Sequence, residues 1–421
     1  MIELGAGRPM HLGHRILPPL AIAAVFLLLG VTPASAATTR HVETTGADSG
    51  DCASASAPCK TITYALTQSV AGDTISVAAG EYDELVRIDL NGITIEGSGA
   101  STTTVMGPAA CAGIGTTFLV FGSDVTLRGL GIGGCPEGIV AAGGPITVES
   151  DLFLATTGVG VSLAGGSATV LNNVFRSHSG VCDRAPGTVV VSGNTFLTQD
   201  YGICVNFADA TVHFNRITSQ PPIGVSVAST GTANLEDNWW GCNDGPNKPG
   251  CATTVPATAR VDRWLELAPI GAPTSLAPGA TAQITFGLVN SVTGEVATTF
   301  PSAPIAFATT TGSVSPPSAG LAGGVATTTF TAPSEAGVYT VTATLDEGTA
   351  SVTLNAPVVA SPSTTAGRTP VPNATLPPTS SLPAPVGGER SGGPGPLAAL
   401  VLLFASVLLV VARALRIAGR A

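Results

Sequence analysis

The sequence predicts an all-β chain in which a parallel β-helix is followed by a β-sandwich. One short phrase recurs six times: VTLRGLGI (125–132), ITVESDLF (146–153), ATVLNNVF (168–175), VVVSGNTF (189–196), ATVHFNRI (210–217) and ANLEDNWW (233–240). The starts lie 21, 22, 21, 21 and 23 residues apart, which is the spacing of a structural repeat. A second phrase recurs inside each interval, as GIVA from Gly138, GVGV from Gly158, GVCD from Gly180, GICV from Gly202 and GVSV from Gly224. Each coil of about 22 residues therefore carries two strands, which makes a coiled sheet. Beyond Gly271 the repeat gives way to longer alternating strands punctuated by Pro and Gly.

Composition supports this. Of 421 residues only 10% are charged and 5% aromatic, and the abundance of Gly, Thr, Ala and Val suits closely stacked strands. The net charge of -10 and the scattered basic residues leave no surface that could track phosphates, which excludes nucleic acid as a partner. All eight cysteines fall in local pairs: Cys52 with Cys59, Cys111 with Cys135, Cys182 with Cys204, and Cys242 with Cys251. No CxxC pair occurs, so disulfides in an oxidising compartment are expected rather than zinc, and no metal or cofactor is implied.

Residues 1–36 contain Arg8 and Arg15, an apolar run over 16–31, and Ala34-Ser35-Ala36. These are the three regions of a secretory signal peptide, with an uncleaved anchor as the alternative. After it, Cys52 to Cys59 closes a small loop, and Ile62, Ala65, Leu66 and Val70 lie at helical spacing over 60–70. A short amphipathic helix there would cap the open end of the sheet. Residues 73–77 and 92–97 read as the first strands.

Within the repeat, positions one and three are apolar in every copy and point inward: Val125/Leu127, Ile146/Val148, Ala168/Val170, Val189/Val191, Ala210/Val212 and Ala233/Leu235. Position two is mostly Thr (Thr126, Thr147, Thr169, Val190, Thr211, Asn234), an ordinary outward column. Position six is Asp151, Asn173, Asn194, Asn215 and Asn238 after an irregular Leu130; a stacked Asn column can bond between coils and tolerate a left-handed turn. Position eight stacks Ile132, Phe153, Phe175, Phe196, Ile217 and Trp240 inward. Cys182 and Cys204 occupy one place in successive second phrases, so adjacent strands about 4.8 Å apart bring them within disulfide reach. The phrase V-x-x-N-x-F also resembles part of a leucine-rich repeat, but the second half of each coil has Gly-Val-x-Val where that repeat needs leucines.

The Cys52/Cys59 loop, GDTISVAAGEY (72–82), the VTLRGLGI-type phrases and the closing NWWGCNDGPNKPGC (238–251) together resemble a known fold. From Val42 to about Leu267 the chain is similar to the right-handed parallel β-helix of the pectin-lyase-like superfamily, in the version found in secreted bacterial surface proteins. That superfamily includes pectate lyases, polygalacturonases, adhesins and members without known activity, so the resemblance implies fold more than function. Further on, 280–290, 304–310, 324–332, 337–345 and 349–355 read as strands, and the run around Tyr339 resembles bacterial immunoglobulin-like modules with Tyr339 as corner tyrosine. Residues 357–396 are rich in Pro, Ser, Thr and Gly and form a stalk. Residues 397–413 read as a transmembrane helix, followed by Arg416 and Arg420 in a cytoplasmic tail (414–421). Leu376-Pro377-Pro378-Thr379-Ser380 resembles a sortase signal but ends in Ser. The expected organisation is thus a signal peptide (1–36), the β-helix with its N-terminal cap (37–266), an immunoglobulin-like β-sandwich (267–356), the stalk, the membrane helix and the tail.

Lyases of the superfamily need carboxylates converging on calcium and a basic residue, and its hydrolases need paired or triple aspartates. The fourth column here is Glu96, Arg128, Glu149, Leu171, Ser192, His213 and Glu236, in which no three carboxylates stack, so no catalytic residue carries over. The candidate ligand-binding residues are Arg176, His178, Asp183, Asp200 and Tyr201 near one set of turns, together with Trp239 on what reads as the outward face. Asp183 sits where other coils carry Ala141, Val161, Val205 and Val227, which suggests that its stretch leaves the strand to cap a turn or to pair with Arg184. The sequence therefore points to a membrane-anchored surface protein, its C-terminal helix in the membrane and its rod outside the cell, binding a polysaccharide or another surface. An anchored polysaccharide lyase or glycoside hydrolase is the alternative.

Overall fold

The computed structural model describes residues 36–358, apart from 109–110, 112–114, 155, 199, 219–222, 229 and 257–258. The expected signal peptide up to residue 35, the expected stalk beyond Val358, the expected transmembrane segment 397–413 and the expected tail lie outside the described residues. Among the described residues no helix is long and apolar enough to cross a membrane.

Two alternating apolar positions per strand drive the chain into a parallel β-solenoid of the right-handed type. It has three sheets, of nine, eight and seven strands among the described residues, so a coil carries three strands where the two phrases predict two; the end of the first phrase forms its own strand after the left-handed turn, as Leu152–Leu154 and Val174–Arg176 do. The nine-stranded sheet runs from Thr39–Val42 to Thr232–Asn234, and the recurring VTLR-type phrases supply its later strands in register: Val125 opposite Ile146, Ala168, Val189, Ala210 and Ala233. Positions one and three are buried as expected, except for Ala233, which is only partly covered in the last coil. Phe153, Phe175 and Phe196 stack face to face at 4.6 and 4.9 Å between centroids. Glycine opposite this stack is a steric requirement, since a Cβ on Gly160 would sit 2.8 Å from Phe175 and one on Gly180 2.6 Å from Phe196. This corrects the second-phrase alignment. Ile139 lies opposite Val161 and Val161 opposite Val181, so the glycine of that coil's column is Gly160, not Gly158.

The left-handed turn falls one residue earlier than the Asn column. Position five carries the positive φ in all six copies: Gly129 68°, Ser150 59°, Asn172 56°, Gly193 69°, Phe214 55° and Asp237 59°. The column itself holds these turns. The backbone N–H groups of Leu130, Asp151, Asn173, Asn194 and Asn215 donate to the Oδ1 atoms of Asp151, Asn173, Asn194, Asn215 and Asn238 at 2.7 to 3.0 Å. Each Asn amide also donates to a carbonyl of the preceding coil, as Asn194 Nδ2 does to Val170 at 2.8 Å.

The four disulfides join the expected partners. Cys182 and Cys204 are directly paired across adjacent strands with Cα atoms 4.4 Å apart. At the N-terminal end the helix spans Ile62–Thr67, shorter than 60–70, with the Thr61 hydroxyl accepting from the Tyr64 N–H as N-cap. Ile62, Ala65 and Leu66 bury there, whereas Val70 lies beyond the helix and is exposed.

Two four-stranded antiparallel sheets follow, packed as a β-sandwich around Phe286, Leu288, Ile305, Phe330, Val341 and Leu354. The expected strands are found at Thr281–Asn290, Pro304–Thr309, Val325–Thr331, Gly337–Leu345 and Gly348–Ala356. A further strand, Leu265–Gly271, begins before residue 267 and pairs with Thr281–Asn290, its alternation masked by a register shift between Pro269 and Gly271. The Tyr339 hydroxyl donates to the Glu335 carbonyl four residues upstream.

Asp151 is the one carboxylate in the turn-holding column. Its Oδ1 accepts the Leu130 N–H at 2.7 Å, but Oδ2 is buried with no partner. Burial, against the Leu130 hydrogen bond and reinforced by nearby Glu149, pushes this carboxyl well above the usual carboxylate range. The folded state therefore holds a proton that the unfolded state releases near pH 4. The resulting stability is complete below that pH and declines as the pH rises toward the folded value. Asp151→Asn supplies the amide donor of the neighbouring coils and removes this decline. At neutral pH the variant should be more stable by about 1–3 kcal/mol, and urea denaturation from pH 4 to 8 should show a flatter profile than the native chain; equal profiles would refute the assignment.

Candidate functional site

The structure brings together part of the sequence-predicted cluster. His178 and Asp200 are stacked on adjacent coils, the Asp200 N–H donating to the His178 carbonyl, and their side chains approach to 3.7 Å while both remain half exposed. Arg176 is exposed at the end of the strand Val174–Arg176, and Tyr201 is half-buried at the start of the strand Tyr201–Val205 one coil on. Asp183 does not join them. It stays in the strand Ser179–Asp183 opposite Leu163, is buried, and accepts from the N–H groups of Asn206 (2.6 Å), Phe207 (3.1 Å) and Ala208 (2.8 Å). It clamps the turn of the following coil, as capping foresaw, but without leaving the strand. Arg184 pairs with Glu137 instead.

Trp239 corrects a second expectation. It is fully buried, because the sandwich covers the face that the repeat alone leaves outward. Its indole N–H donates to Asp346 at 2.8 Å, and Asp346 also receives Arg216. Trp239 is thus a structural bolt between solenoid and sandwich, unavailable to a ligand. Trp240 lies on the inward column, as expected.

A separate concavity lies on the outward face of the last three strands of the nine-stranded sheet. A cleft of about 440 Å³ is lined by Thr188, Asp209, Thr211, Thr232, Asn234, Glu236 and Arg260. Register builds it in rows. Thr188, Asp209 and Thr232 are neighbours on successive coils, as are Val190, Thr211 and Asn234 two residues on. Arg260 overhangs from the segment that leads into the sandwich. The acids of the cleft are engaged. The Thr232 hydroxyl donates to Asp209, and Glu236 pairs with Arg263 at 3.1 Å. The His213 ring meets the Glu236 carbonyl at 2.9 Å, and Arg260 pairs with Asp262 at 2.6 Å.

Position two reads in the sequence as plain solvent face, and nothing in the repeat signals Arg260, which lines the cleft from beyond it. Farther along the same sheet Arg128 and Glu96 pair at 2.8 Å. Among the described residues no three His, Cys, Asp or Glu side chains gather as metal ligands would.

Residues 44–243 match a family model described as a protein of unknown function, DUF1565. No curated protein sequence matches the chain. Among solved structures the chain is similar to a pectin methylesterase point mutant in complex with a hexasaccharide, at 12% identity over 53% of this chain and 76% of that one, with a TM-score of 0.32.

If Trp239 is a bolt, Trp239→Ala should lower stability by about 3–5 kcal/mol and let the sandwich unfold before the solenoid in calorimetry. A single transition with unchanged midpoint would contradict this.

Proposed function

We propose that the protein is a binding module displayed outside the cell, holding a polyhydroxylated chain such as a glycan in the cleft beneath Arg260. The observation that carries this reading is the cleft itself: about 440 Å³, open, and lined by hydroxyl, amide and carboxylate groups set in rows by strand register, with Ala210, Ala233 and the Arg260 guanidinium beside them. Such groups exchange hydrogen bonds with sugar hydroxyls in place of water. Binding is favoured over lysis or hydrolysis because Glu236 is held in an ion pair with Arg263, which leaves Asp209, itself accepting from the Thr232 hydroxyl, without a second unpaired carboxylate in the cleft.

The rest of the chain serves display. Residues 1–36 act as the secretion signal and residues 397–413 as the membrane anchor, with the stalk between sandwich and membrane. The sandwich is an immunoglobulin-like spacer, a reading supported by the bond from Tyr339 back to Glu335.

Two measurements test this. The full-length protein should retain at least one member of a panel of neutral and acidic polysaccharides in a pull-down without releasing fragments, and Thr211→Arg, which fills the cleft, should weaken that retention about ten-fold or more. Fragment release would establish an enzyme instead, and retention unaffected by Thr211→Arg would move the site elsewhere. Deleting residues 397–421 should shift the protein from the cell fraction to the medium; continued retention would show another anchor.

A further inference from the structure

The outward row that enters the cleft does not begin there. Position two of the nine-stranded sheet aligns Thr39, Thr74, Thr94, Thr126, Thr147, Thr169, Val190, Thr211 and Asn234 in unbroken register from the first strand to the last. Eight intervals of about 4.8 Å give a ladder of about 38 Å along the rod. Among the described residues, the hydroxyls of Thr94, Thr126, Thr147, Thr169 and Thr211 make no hydrogen bond within the protein. They are half-buried and fixed by strand geometry, so a ligand meeting them finds donors and acceptors already ordered.

The charges beside the ladder narrow the ligand's chemistry. The cations near it are cancelled: Arg128 by Glu96, Arg260 by Asp262, and Arg263 by Glu236 and Asp237. Glu149, next to Arg128 in the flanking column, and Asp209, in the cleft, have no cationic partner among the ion pairs formed. A polymer carrying a carboxylate on every unit would meet uncompensated negative charge and no free cation.

Resting on the cleft reading above, we infer that the ligand is an uncharged polysaccharide that extends from the cleft along the threonine ladder. Each rung contributes one weak hydrogen bond, so affinity accumulates with chain length and depends little on salt. Val190 already occupies one rung, which shows that Thr→Val is accommodated in this column without loss of register.

The test uses full-length protein and oligosaccharide series from dimers to decamers, one set neutral (β-glucan, mannan and xylan fragments) and one of oligogalacturonates, with affinities measured by calorimetry. Neutral chains should bind more tightly as they lengthen past the cleft. The triple variant Thr126→Val, Thr147→Val, Thr169→Val should lose about ten-fold or more for the longest chains, from roughly three-fold per rung, while dimer affinity stays unchanged. Circular dichroism and melting of the triple variant establish that it is folded, and the single Thr147→Val, with its roughly three-fold loss, serves if it is not. Preference for galacturonates, affinity that stops growing at cleft length, or a folded triple variant with native affinity for long chains would each overturn this inference and leave the cleft reading standing. Failure of every oligosaccharide to bind would overturn both.

Discussion

Each coil reverses at one residue of positive φ, and the hydrogen bond that holds the reversal comes from the coil that follows. The N–H after the turn in one coil is satisfied by the Oδ1 of the Asp or Asn one coil on, from Leu130 with Asp151 through Asn215 with Asn238. Four of the six turn residues are not glycine, and each left-handed conformation costs on the order of 1–2 kcal/mol. A buried amide that satisfies both the turn N–H and a carbonyl of the preceding coil offsets that cost. No coil is therefore complete without its neighbour, and the stack needs ends that differ from its middle. The helix Ile62–Thr67 closes one end, and Trp240 with the Cys242–Cys251 loop and the sandwich close the other.

The interior that results has no room for chemistry. Stacked phenylalanines fill it so closely that the facing strand has glycine at that place, and the Asn column and Asp183 spend their polar groups on the backbone. Asp183 shows how strong this constraint is. A carboxylate in a buried strand position would be costly alone, but three backbone N–H groups of the next turn converge on it. A residue that stands out in the sequence alignment of the coils is thus explained by the demands of the fold. Ligand chemistry is confined to the outer columns, where alternation leaves every second side chain facing solvent.

The solenoid was legible because its period, its inward columns and the Cys182 to Cys204 spacing are all local consequences of stacking one coil on another. What could not be read depends on contacts that the repeat does not contain. Gly158 and Gly160 are equally plausible column members in sequence, and only the Phe175 ring distinguishes them. Trp239 reads as outward because alternation places it there, but the sandwich packs over that position. The strand Leu265–Gly271 is hidden by its irregular register around Pro269. The cleft escaped notice for the same reason: its floor is ordinary Thr and Asn, and its defining wall comes from residues outside the repeat.

That wall gives the sandwich a part in the site beyond spacing. Arg260 lies in a segment held on its C-terminal side. There Arg263 binds Asp237 and Glu236, Trp264 donates its indole N–H to the Asn243 carbonyl, and Leu265 enters the sandwich sheet. Asn243 in turn bonds Leu267 and Thr349, and Gly348 leaves just enough space for the Trp239 ring. The C-terminal side of that segment cannot move far from the last coil without breaking these contacts, so the proposed cleft is partly shaped before a ligand arrives. Because the individual hydrogen bonds of such a surface are weak, this preorganisation decides whether a polar, shallow face can hold a chain at all.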